Sequence, residues 1–119
     1  MIRARRLRWR DYRTTAGARP VKAFIDGLTD EQAAAVVAAM KDVAQNGLRA
    51  ARHLRGEVYE VRAEAERQAF RILFARETTF ILLSLSGFRK KRAKTPPDEI
   101  LLAESRLADW RWRGRARGP

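Results

Sequence analysis

Hydrophobic and polar positions change period along the chain, and each change marks an element. "LRWRDY" alternates, with Leu7 and Trp9 set against Arg6, Arg8 and Arg10, and predicts a short strand. "TTAGARP" reads as a turn on Gly17 and Pro20. Pro20 then opens a short helix, "PVKAFIDGL", with Val21, Phe24, Ile25 and Leu28 on one face. Thr29 and Gln32 have the spacing of a capping box for a second helix, and Asp30 and Glu31 suit its positive end. Ala33, Val36, Val37, Met40, Val43 and Ala44 repeat at helical spacing until Asn46-Gly47, a left-handed C-cap pair, stops the helix.

The period then falls to two. "EVYEVRAE" places Val58, Glu60 and Arg62 on one side and Tyr59 and Val61 on the other. "QAFRILFAR" places Phe70, Ile72 and Phe74 on one face, and Arg71, Leu73 and Ala75 on the other. "TTFILLSLS" is almost continuously apolar, the pattern of a strand buried on both faces. Short connections near residues 64–67 and 76–78 predict an antiparallel meander. Thr95 is expected to cap a last helix, opened by Pro96 and Pro97, with Asp98 and Glu99 in its first turn. Ile100, Ala103, Leu107 and Trp110 form its stripe, and "RWRGRARGP" reads as a loose tail. The order predicts an α+β fold, in which a small antiparallel sheet carries two N-terminal helices on one face and is followed by a C-terminal helix. One domain spans residues 1–119, with its core at about 18–110. The other sheet face is expected to stay open for a ligand.

Composition narrows the chemistry. Hydrophobic residues make up 45% of the chain, enough for a packed core. The absence of cysteine excludes a disulfide scaffold and thiol catalysis, and one histidine, His53, cannot build a histidine metal cluster. Neither a metal nor a small-molecule cofactor is expected. No apolar run approaches the ~20 residues of a membrane span. "MIRARRLRWR" lacks the apolar segment of a secretory signal, so a cytoplasmic protein without a membrane partner is expected.

Charge changes the picture most. Lys and Arg number 26 against 14 Asp and Glu, a net +12, which favours a polyanionic partner and nucleic acid first. The charge is clustered: residues 1–19 carry +6, residues 89–95 carry +5 and residues 111–119 carry +4. Residues 20–47 and 96–110 are acidic. In "SGFRKKRAKTP" five bases, Arg89, Lys90, Lys91, Arg92 and Lys94, stand with no acid among them. Strand alternation puts Arg62 and Arg71 on one sheet face, where they can converge with this cluster. Such a site can cut RNA without His or Cys, because the 2′-hydroxyl is the nucleophile. Guanidiniums stabilise the charge that develops on the phosphoryl oxygens, and a lysine whose pKa neighbouring charges lower accepts the proton. The catalytic candidates are Arg62, Arg71, Lys91 and Lys94, with Glu60 behind the two lysines as base. The RNA-binding candidates are Arg55, Arg89, Lys90 and Arg92. Arg71 is expected to be exposed and dispensable for folding. The plainer alternative is a solvated basic patch whose charges are interchangeable. Trp9, Trp110 and Trp112 could stack on bases, but Trp110 on an apolar stripe, like Tyr59 on the aromatic side of its strand, reads as packing. His53 reads as structural or solvent-exposed.

Four stretches in order, "PVKAFIDGL", "HLRGEVYEVRAE", "FRILFA" and "ILLSLSGFRKKRAKTPPDEILLAESRLADW", resemble the RelE/ParE toxin superfamily, and within it the phage-derived HigB-type branch. The resemblance covers about residues 18–110. It implies a small α+β toxin that cleaves mRNA in the ribosomal A site and is held inactive by a cognate helix-turn-helix antitoxin. It places Arg62 at the basic end of the first core strand and Arg71 at the arginine that grips the scissile phosphate. Arg89, Lys90 and Lys91 fall where the family has its late basic residues. The chain departs from the RelE pattern at Glu60, where that branch has lysine, and it lacks the late tyrosine and the His/Asp set of some relatives. The same fold also serves the gyrase-poisoning ParE branch, so a non-catalytic RNA-, ribosome- or gyrase-binding inhibitor is the alternative.

Overall fold

Strands with apolar side chains on both faces need cover on both sides, and this requirement organises the molecule. The computed structural model describes residues 6–91 and 93–117, with side chains to residue 114. Arg92 and the two chain ends, residues 1–5 and 118–119, lie outside the described residues. The elements are β1 (Arg8–Asp11), α1 (Pro20–Asp26), α2 (Asp30–Asn46), a 3-10 turn (Leu48–Ala50), β2 (Arg52–Arg55), β3 (Val58–Ala65), β4 (Gln68–Arg76), β5 (Ile81–Lys90) and α3 (Pro97–Arg117). The strands form one sheet in the order β1-β5-β4-β3-β2.

The predicted helices α1 and α2 stand as expected. Thr29 and Gln32 make the reciprocal capping box, and Gly47 ends α2 at a φ of 81°. The β3-β4-β5 meander is antiparallel, and the fold is α+β. Val21, Val36, Met40, Val43, Val61, Phe70, Ile72, Phe74 and Leu82 form the core beneath α1 and α2. Burial of each large side chain contributes roughly 1.5–3 kcal/mol. The glycine in "SGF" has a packing role. A Cβ on Gly87 would lie 2.6 Å from the Phe24 ring, so only glycine lets α1 approach β5 this closely.

Four expectations are corrected. The sheet is mixed, because β1 pairs parallel with β5, Arg8 opposite Ile81 through Asp11 opposite Ser84. The long excursion from α1 to β4 supplies the crossover that a parallel pair needs. The second sheet face is not open, since Ala103 and Leu107 of α3 seal it against Tyr12, Val58, Leu73, Ala75, Leu83 and Leu85. Helix α3 continues through the supposed loose tail to Arg117. Thr95 does not cap α3: its hydroxyl donates to the Glu60 carboxylate, while the Pro96 carbonyl accepts the Glu99 N–H at 3.1 Å. A bulge at Leu85 leaves that residue without a β4 partner, and the Arg106 guanidinium of α3 donates to its carbonyl at 2.7 Å.

Candidate active site

Helix α3 packs on β3, β4 and β5 through Ala103 and Leu107, and the other end of that face carries Arg62, Arg71 and Lys90. At that end a cavity of about 320 Å³ is lined by Arg62, Ala69, Arg71, Lys90, Lys91 and Ala93. Four of its six lining residues are cations and none is acidic. Register explains the convergence. Arg62 of β3 sits directly opposite Arg71 of β4, and Lys90 of β5 is opposite Ala69, two residues from Arg71 on the same face. Like charges directly opposite one another destabilise a sheet, so this arrangement is costly unless an anion joins it.

Arg71 is not the exposed residue that strand alternation suggested. Its exposure is 4%, and Glu60 beside it is fully buried at 0%. The face reading was right, but Thr95, in the segment leading into α3, reaches across to the Glu60 carboxylate on that face. Arg71 Nε and Glu60 Oε1 are 3.4 Å apart, an ion pair by distance, yet neither atom makes a hydrogen bond. Arg71 Nη1 donates to the Phe70 carbonyl at 2.9 Å, and Glu60 accepts from Thr95. Burial lowers the pKa of Arg71 against the pull of Glu60, and the nearby Arg62 lowers it further. The pair thus fixes a guanidinium at the cavity wall, at a carboxylate's expense.

Lys90 shares the cationic surroundings of Arg62 and Arg71. Its pKa is lowered, first by burial and then by Arg71, with Arg62 and Arg52 adding to the effect and Glu60 opposing it. Sequence reasoning placed Lys90 only among RNA-binding residues because the basic run read as a loop. Strand β5 in fact continues to Lys90, and alternation separates neighbours: Lys90 joins the cavity, whereas Arg89 turns to the other face, 5.5 Å over the Phe70 ring and bonded to Gln68. Lys91 lines the rim and is exposed. Lys94 is exposed and is not among the lining residues. Arg55 lies apart from the cavity, tied to Glu104 of α3 at 2.5 Å. His53 bonds the Gly56 carbonyl at 2.8 Å and packs on Tyr59, as a structural residue would.

Arg52 is the functional candidate that the sequence reading missed. It is the cross-strand partner of Glu60 on β2, a four-residue strand not anticipated. The signal was Gly56, which takes a φ of 53° between β2 and β3 and makes "RHLRGEVYEV" a hairpin. Among the described residues no three His, Asp or Glu side chains group to hold a metal ion. No described helix is long and apolar enough to cross a membrane.

The family model described as "Phage derived protein Gp49-like (DUF891)" matches residues 23–108. That span holds every cavity-lining residue and omits β1 and the last turns of α3. No curated protein matches the chain.

Proposed function

Because the chain belongs to the Gp49-like family of phage-derived proteins, a RelE-like family associated with toxin–antitoxin systems, we propose that it is a type II toxin of HigB type that cleaves mRNA on the ribosome. A cognate helix-turn-helix antitoxin holds it inactive in the cytoplasm, and the cut needs neither metal nor small-molecule cofactor. The observation that carries this reading is Arg62 facing Arg71 across the strand pair, with Lys90 beside them, over a cavity without an acid in its wall.

A phosphate of the message in that cavity meets the two guanidiniums, which stabilise the charge gathering on its oxygens. Neutral Lys90 takes the proton of the 2′-hydroxyl as O2′ attacks phosphorus. The bond from phosphorus to O5′ breaks, and Lys91 at the rim gives O5′ a proton. The products are a 2′,3′-cyclic phosphate and a 5′-hydroxyl. Lys90 therefore takes the role first assigned to Lys91 or Lys94.

Three measurements test this. Mapping mRNA 5′ ends after induction should reveal new ends, and the neighbouring antitoxin gene should suppress them. Growth arrest without new ends would favour the non-catalytic inhibitor. Single-turnover cleavage should rise with pH as Lys90 loses its proton and level off below the ordinary lysine pKa of 10.5, because that pKa is lowered. Lys90→Arg keeps the charge but cannot act as a base, so cleavage should fall by about 10²–10⁴ with ribosome affinity within about twofold. Wild-type cleavage by this variant would move the base elsewhere.

A further inference from the structure

Described parts of the two basic end segments come together in the fold, away from the first cavity. The N-terminal segment carries +6 over residues 1–19, and residues 111–119 carry +4. Strand β1 and the end of α3 bring parts of both to one side of the molecule. A second cavity of about 360 Å³ opens there, lined chiefly by Arg10, Asp11, Arg13, Arg19, Trp110 and Arg113. Asp11 is the one acid among these residues, and Arg19 pairs with it at 2.5 Å.

Three of these arginines, Arg10, Arg19 and Arg113, are held in place. Arg10 lies 5.3 Å over the Trp110 ring. Arg113 sits 5.4 Å over Tyr12, pairs with Asp109 at 2.9 Å and donates to the Arg13 carbonyl. Tyr12 completes the clamp by donating its hydroxyl to Asp109 at 2.6 Å. Arg10 and Arg13 are exposed and make no ion pair among the described residues. The negative end of the α3 dipole accounts for Arg113, but not for Arg10, Arg13 and Arg19, which come from elsewhere in the chain. Planar guanidiniums that converge on one pocket suit phosphate oxygens.

Every one of these residues lies outside the span matched by the family model, residues 23–108. The pocket therefore lies beyond the matched part of the chain. Arg10 is opposite Leu83 on β5 and Arg71 is opposite Phe88, so the two sites are roughly 15 Å apart along one strand.

We propose that the β1–α3 pocket is a second nucleic-acid site, which grips the phosphate backbone of RNA and does no chemistry. The choice of RNA rests on the function proposed above; the anion site rests on the geometry alone. The test is binding of the full-length protein to a labelled duplex RNA hairpin across a KCl series, with a DNA hairpin of equal length as comparison. Arg10→Gln with Arg13→Gln should flatten the plot of log affinity against log salt by about 2, at ~0.9 for each phosphate no longer neutralised. Arg10→Lys with Arg13→Lys should keep most of the slope. An unchanged slope in the Gln variant overturns the site, whatever its melting temperature, because the arginines then only pack α3 on β1. A slope change confined to DNA overturns the assignment to RNA. Binding is read without cleavage, so the outcome stands even for a protein that cuts no message.

Discussion

Arg71 and Glu60 form a buried pair that serves the site poorly as a stabilising device. The pair makes no hydrogen bond between its closest atoms, at 3.4 Å, and burial of two ions is costly. Breaking it from one side is worse, because the surviving charge stays buried. Arg71→Ala should therefore destabilise the protein by about 3–5 kcal/mol, read as a lower urea midpoint. Arg71→Met combined with Glu60→Gln removes both charges at similar volume and should regain most of that stability, yet cleave no RNA. A fully stable Arg71→Ala would contradict the buried pair, and a cleaving double variant would remove Arg71 from the chemistry. Strand period alone placed Arg71 and Glu60 on their correct face. Their burial was not legible, because it depends on Thr95 and α3, which lie dozens of residues away in sequence and adjacent in space.

The elements whose ends are set by local chemistry were the legible ones. Thr29, Gln32 and Gly47 bound α2 through contacts within a few residues, so pattern sufficed. The end of β5 was hidden, because a strand that leaves its core keeps its period after it loses its apolar residues. The β3–β4 hairpin conceals a different feature. Its two turn residues, Glu66 and Arg67, have φ of 52° and 60°, the left-handed region that Asn-Gly would occupy at little cost. For ordinary residues each such position costs about 1–2 kcal/mol. Thr29 donates to the Glu66 carboxylate and ties the turn to the start of α2, which offsets part of that strain. Glu66→Asn with Arg67→Gly should stabilise the fold by about 1 kcal/mol, a rise in melting temperature of roughly 4 °C. A fall in stability would mean that the Thr29–Glu66 contact outweighs the backbone strain.

Across the whole molecule the excess charge sets stability and binding against each other. A net charge of +12 repels itself, and only seven ion pairs join oppositely charged side chains among the described residues. Six of them have partly exposed side chains and are worth little each. Repulsion is concentrated where Arg62 faces Arg71 and where four arginines line the β1–α3 pocket. Salt screens both clusters, so raising KCl from about 0.05 M to 0.5 M should raise the melting temperature by a few degrees, roughly 0.5–1 kcal/mol. On the function proposed above, the same salt releases RNA. If the two sites together neutralise about four phosphates, affinity should fall roughly four-thousandfold over that tenfold range. Opposite signs in one titration are the signature of charge held for a ligand rather than for the fold. Melting curves and hairpin binding measured in the same buffers decide it: a melting temperature that falls with salt would mean that the ion pairs dominate and that the cationic clusters carry no strain for RNA to relieve.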